Sequence, residues 1–136
     1  MLLTIEKVLL VKSAGIFAEI PDECLVEVAS ALQELTVEPG TEIIKKGELG
    51  TSLYIVVEGR VRVHDGDKVL AELGPLEVFG ELSALDPEPR MASVTALEPA
   101  HLFRISQQAL FELMSEQAAI MKGIIRVLCR RLRAKS

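Results

Sequence analysis

Glu81 and Arg90, nine residues apart, have the side-chain types from which an anion site is built. They sit within Phe79-Gly80-Glu81-Leu82-Ser83-Ala84-Leu85-Asp86-Pro87-Glu88-Pro89-Arg90-Met91-Ala92-Ser93-Val94. Here a strand ends at Gly80 and a short helical turn begins at Glu81. The first amides of such a turn lack intrahelical partners and can serve an anion. Gly80 lets the main chain come close to a ligand. Arg90 is the sole Lys or Arg between Lys68 and Arg104, in company with Glu77, Glu81, Asp86 and Glu88. Beside small residues (Ala92, Ser93), a guanidinium offers a two-pronged donor to phosphate oxygens. The same spacing also suits a plain ion pair between Glu81 and Arg90 across a surface loop. Residue types alone leave both readings open.

The elements that must position this stretch follow from the hydrophobic pattern. Residues 4–12 read as a helix with Ile5, Val8 and Leu9 on one face and Thr4 as its N-cap. Ser13-Ala14-Gly15 ends it. Pro21-Asp22 opens a second helix carrying Leu25, Val28, Ala29 and Leu32. From Pro39-Gly40 to Ser106 the pattern is β, with strand-like runs at 41–45, 52–57, 60–65, 68–73, 91–98 and 101–105. Each run is bounded by turn residues such as Gly47, Gly50, Gly59, Gly74 and Pro99. Val61 and Val63 alternate with Arg60, Arg62 and His64 and face inward. Asp65-Gly66 signals a hairpin. After Ser106, an N-cap, the helical period returns, with Leu110, Leu113 and Met114 on one stripe. A second stripe follows at Ile120, Ile124, Leu128 and Leu132, with Ile125 and Val127 beside it. Gly123 in this last helix marks close packing or a bend. The expectation is an α+β chain: an eight-stranded antiparallel β-roll (jelly-roll) between N-terminal helices and two C-terminal helices. It is read as one domain, residues 1–136, with helices in 1–32, the roll in 33–105 and helices in 106–135.

The stretch 79–94 resembles the phosphate-binding cassette of the cyclic-nucleotide-binding family. That family includes protein kinase A regulatory subunits, the bacterial catabolite activator and cyclic-nucleotide-gated channels. Its pattern is Phe-Gly-Glu-Leu, a loop with a proline, then Arg-x-Ala-Ser/Thr-Val. Here the pattern reads Phe79-Gly80-Glu81-Leu82, seven loop residues from Ser83 to Pro89, then Arg90-Met91-Ala92-Ser93-Val94. Pro39-Gly40, Gly47, Tyr54-Ile55-Val56 and Gly59-Arg60-Val61 also match the family's roll, so the resemblance covers nearly the whole chain, and a bacterial member is expected.

The resemblance implies a ligand, cyclic AMP, and a set of roles. Glu81 accepts a hydrogen bond from the ribose 2′-hydroxyl. Arg90 pairs with the exocyclic phosphate oxygens. Amides around Leu82, Ser83 and Ala92 complete the cradle, Gly80 gives clearance, and Met91 and Ser93 flank the arginine side of the site. Val61 and Val63 are candidates for the wall under the base, with core packing as their alternative role. Met91 lacks the hydroxyl that cyclic-GMP-selective relatives often carry as Thr, which favours cyclic AMP. In relatives a C-terminal helix closes over the base. Its counterpart here is about 117–134, where Ile124, Ile125 and Leu128 either touch the base or pack on the roll or a second subunit.

The remaining composition narrows the alternatives. Of the 15 Lys and Arg residues, six (Lys122, Arg126, Arg130, Arg131, Arg133, Lys135) fall after Ile120, whereas all 20 acids precede it. The acidic body repels nucleic acid, and no direct DNA binding is expected of this chain. The basic end complements its helix dipole or meets an acidic partner. No apolar run approaches the roughly 20 residues of a membrane span, and no signal peptide is expected. Cys24 and Cys129 read as buried free thiols, which places the chain in the cytoplasm. A cupin-type metal enzyme needs clustered His and carboxylates. Only His64, expected to be solvated, and His101 are present, so no metal ligand, catalytic residue or cofactor is expected. The partner is a cyclic nucleotide, with a homodimer through the C-terminal helix or a fused effector as the downstream contact. The rival reading is a degenerate module of the same fold, kept for protein–protein contact without nucleotide.

Overall fold

A computed structural model describes residues 3–135. In chain order it contains α1 (Thr4–Lys12), a 3-10 turn (Gly15–Phe17) and α2 (Asp22–Ser30). Strands β1 (Gln33–Val37), β2 (Glu42–Ile44), β3 (Ser52–Glu58), β4 (Val61–Asp65), β5 (Lys68–Leu73) and β6 (Val78–Phe79) follow. Helix α3 (Glu81–Leu85) separates them from β7 (Ser93–Ala96) and β8 (Ala100–Ser106), and α4 (Gln107–Glu116) and α5 (Ala118–Ala134) close the chain. The residues cluster into two compact units. One is the chain through Leu32 together with the chain from Gln108 on; the other is Gln33–Gln107.

In the helical unit, α1 packs on α2 and α5 packs on the 3-10 turn. Leu25, Val28, Ala29 and Leu32 are buried, as their spacing predicts. Thr4 is not the cap of α1 but its first helical residue. The cap position is Leu3, whose N–H donates to Glu6 Oε1 at 3.0 Å. Gly123 serves close packing: a Cβ there would lie 2.9 Å from Glu19 O. Arg130 Nη1 reaches Glu19 Oε2 at 2.8 Å over the same contact. The buried face of α5 is Ile120, Gly123, Ile124 and Val127, not the stripe Ile120, Ile124, Leu128, Leu132. Steps of four residues advance roughly 40° each on a helix of 3.6 residues per turn. By Leu132 the line has therefore rotated off the buried face, and that side chain is 69% exposed. Cys24 is buried. Cys129 is only half-buried, which corrects its reading as a buried thiol.

The second unit is the expected roll of eight antiparallel strands. One sheet runs β1-β8-β3-β6 and the other β2-β7-β4-β5. Period-2 alternation turns Tyr54 and Val56 of β3 and Ala100 and Leu102 of β8 toward Ile44, Val61 and Val94 of the other sheet. Phe79 completes this cluster by stacking on Tyr54, centroids 5.0 Å apart. Two strands escape the sequence runs: β1, whose Gln-Glu-Leu-Thr-Val is half polar, and β6, only two residues long. The run 91–98 shrinks to Ser93–Ala96 because Met91 and Ala92 form a bend before it.

His64 departs from its expected solvated position. His64 keeps its place in the alternation of β4, whose ladder with β7 is regular, but its side chain is half-buried. The imidazole is held from both sides, Nδ1 2.9 Å from Gly66 O and Nε2 2.8 Å from Thr95 Oγ1. It joins β4 to β7. His101 lies 3.4 Å from Glu34 Oε1 and edge-on to Phe103. Both histidines have structural neighbours that account for them, and no cluster of three or more His, Cys, Asp or Glu suited to a metal occurs among the described residues.

Candidate functional site

Arg90 is built into the roll by its backbone before its side chain acts. The loop before β7 lies antiparallel to residues 47–50. Gly47 N–H donates to Arg90 O at 2.9 Å, and Arg90 N–H donates to Glu48 O at 2.8 Å. Gly50 N–H reaches Glu88 O at 3.3 Å, and Leu49 bridges Pro89. Two prolines and this short ladder leave the loop little freedom.

The guanidinium then lies close to two glycines, Gly50 and Gly80. Nη2 donates to Ser52 O at 2.8 Å, and Nη1 makes a longer contact to Gly80 O at 3.5 Å. A Cβ on Gly80 would fall 2.7 Å from Nη1 and 2.9 Å from Ser52 O. Gly80 also has φ +79°, the left-handed region that favours glycine, as the residue before the first turn of α3. A Cβ on Gly50 would fall 2.0 Å from Nε and 2.2 Å from Cζ of Arg90. Burial lowers the Arg90 pKa, and Tyr54 partly offsets this. An arginine remains cationic under either influence. The side chain is thus anchored by main-chain carbonyls.

The predicted site residues fall into different settings. Gly80 meets Arg90 at the β6–α3 junction, and Oε2 of the next residue, Glu81, is closed off from solvent. Leu82 is 66% exposed on α3, Ser83 and Ala92 are half-buried, and Met91 is 87% exposed. Ser93 is buried, and its Oγ accepts the Lys46 N–H at 3.0 Å. That bond ties the end of the cassette to the segment before Gly47. Val61 is fully buried in the roll core, whereas Val63 is half-buried at its margin. On α5, Ile124 belongs to the buried face, Leu128 is half-buried and Ile125 is 50% exposed.

Beside Arg90 opens a groove of about 280 Å³, with Ser52, Tyr54, Arg104 and Ser106 on its wall. Gly80, Glu81, Val61 and Val63 are not on that wall, so the groove borders the arginine and is not a complete ligand pocket. The sequence reading missed Gly50 and Ser52, which shape the arginine's surroundings. Gly50 was visible there only as a turn residue. Ser52 contributes its carbonyl, and a main-chain acceptor leaves no signature in side-chain types.

With this geometry in view, the chain's relatives can be placed. Residues 34–117 match the family described as the cyclic nucleotide-binding domain. The chain is 33% identical over 125 residues to a CRP-like cAMP-activated global transcriptional regulator of Mycobacterium tuberculosis. That match takes in 88% of this chain and 56% of the regulator, so the chain spans little more than half of its length. Among solved structures, the N-terminal domain of a transcriptional regulator from Streptomyces coelicolor A3(2) superposes with TM-score 0.85 at 32% identity, over 93% of this chain and 92% of that one. The regulatory domain of Toxoplasma gondii PKA, crystallised with cAMP, gives TM-score 0.75 at 28% identity, over 81% of this chain and 44% of that one. The cassette, the roll that carries it and these similarities agree: the chain belongs to the cyclic nucleotide-binding domain family.

Proposed function

We propose that this chain is a regulatory sensor that binds cyclic AMP through residues 79–94 and carries out no catalysis itself. The held guanidinium of Arg90 is the observation that carries the reading. A guanidinium has five N–H donors. Two are directed to Ser52 O and Gly80 O, which leaves the others for phosphate oxygens. In this reading Glu81 takes the ribose hydroxyl, and main-chain amides at Leu82, Ser83 and Ala92 complete the cradle. Ser93 supports the cassette through Lys46 rather than facing the ligand. Val63 is the better base wall of the two valines, since Val61 is sealed in the core. Met91 offers the base no hydroxyl, which favours adenine over guanine. The relatives named for cAMP lend the same support.

The signal is carried by α5. A ligand shifts an equilibrium only through unequal affinity for its two states. Ile125 and Leu128 have exposed or half-exposed surface to offer a base; Ile124 is committed to the buried face. The same helix supports a homodimer. Met121, Ile125, Leu128 and Leu132 follow steps of four, three and four residues, a heptad seam. Met121, Ile125 and Leu132 of that line are exposed. No described helix is long and apolar enough to cross a membrane. Free thiols fit the cytoplasm as the compartment of this sensor.

Calorimetric titration of the folded chain with cyclic AMP and with cyclic GMP tests the ligand. Micromolar or tighter binding of cyclic AMP, with cyclic GMP at least about tenfold weaker, is expected, a gap of about 1.4 kcal/mol. Absence of heat with both nucleotides would give the interaction-module reading the field.

A further inference from the structure

We propose that Gly50 is a positioning residue of the nucleotide site, acting through Arg90 alone. The inference rests on the cyclic-nucleotide reading above for its effect on binding, but not for its physical basis. Gly50 is not required by its backbone: its φ lies outside the left-handed region, unlike Gly47 at +91° and Gly80 at +79°. Space is what excludes a side chain. The nearest atoms to an added Cβ are Arg90 Nε at 2.0 Å, Cζ at 2.2 Å and Cδ at 2.7 Å, all from one side chain. Contacts under 3.0 Å cannot persist, so either the guanidinium or the loop must move. Arg90 is locked at its backbone by Gly47 N–H and Glu48 O, so the side chain is the part free to shift.

Gly50 thereby sets where the guanidinium rests. At the far end of the group, a Cβ on Gly80 would meet Nη1 at 2.7 Å, and Ser52 O accepts from Nη2 at 2.8 Å. The planar fork has space only because residues 50 and 80 carry no side chain, and a main-chain carbonyl fixes its orientation. An arginine so confined loses less rotamer freedom when it meets a phosphate, which is how preorganisation contributes affinity. A methyl group at residue 50 turns the fork out of the slot and away from Ser52 O. The phosphate then meets a mobile cation in place of a fixed one.

A double-mutant cycle with Gly50→Ala and Arg90→Ala on the whole chain tests this, read by thermal melting and by cyclic AMP titration. Gly50→Ala alone should weaken cyclic AMP by about tenfold, the equivalent of one misplaced charge-assisted hydrogen bond. In the Arg90→Ala background the same substitution should change affinity by less than about twofold, since additivity fails only for residues that interact. The melting arm needs no nucleotide. Gly50→Ala should lower the melting temperature in the parent chain and leave it unchanged once Arg90 is Ala. If Gly50→Ala does not fold, recovery of folding in the double variant supports the coupling. Equal destabilisation in both backgrounds, or unchanged or tighter cyclic AMP binding by Gly50→Ala, overturns it. If Arg90→Ala itself leaves binding intact, the nucleotide reading fails, while the melting arm still decides the steric coupling.

Discussion

Residues 47–50 and residues 79–94 make two halves of one arrangement, and they differ in what shows from the sequence. The second half carries Gly80, Glu81 and Arg90, whose types and spacing suit an anion site or a plain ion pair and whose setting resembles the family's cassette. The first half is two glycines around Glu48-Leu49, with no side chain that suggests binding. Yet the first half supplies Gly47 N–H and Glu48 O to the Arg90 backbone, and bare space at Gly50 for its side chain. A motif therefore marks out the cation, whereas an unremarkable loop sets where that cation is held.

Breaking the support shared by the two halves should have the largest effect. Phe79 ends β6 beside the cassette and stacks on Tyr54 of β3, two residues beyond Ser52. It is buried in the core of the roll. Phe79→Ala should cost about 3–5 kcal/mol of stability by leaving a cavity. Urea unfolding measures this, and a loss under about 1 kcal/mol would mean that the stack does not brace the site.

A gentler cut sharpens the comparison. Ser93 Oγ accepts the Lys46 N–H and links the end of the cassette to the glycine loop. Ser93→Ala leaves that amide without its acceptor and should cost about 1–3 kcal/mol. Melting of the two proteins side by side checks it. If stability is unchanged, the link is dispensable and the two halves are joined by the backbone ladder alone.

The sequence made most of the roll legible because alternation, glycine turns and the hairpin at Asp65-Gly66 are local signals. The cassette was legible for the same reason: its charged residues and glycine lie in one short stretch. What escaped depends on contacts distant in sequence or on departures from ideal periods. His64 was read as solvated because its partner Thr95, on the neighbouring strand, lies 31 residues away. The buried face of α5 was misread at Leu128 and Leu132, since a line of every fourth residue drifts around the helix. Gly50 lies 40 residues before the arginine whose space it makes, and nothing about a glycine distinguishes a turn from a slot.

Binding through Arg90 is the claim on which the rest stands, and calorimetry with cyclic AMP on the parent chain, Arg90→Lys and Arg90→Ala tests it most directly. The alanine variant should bind at least about tenfold more weakly, a loss of about 1.5–3 kcal/mol for a charge-assisted contact. Lysine should fall between, since a point charge cannot replace the planar fork. Equal affinity of the parent chain and a folded Arg90→Ala would contradict the account.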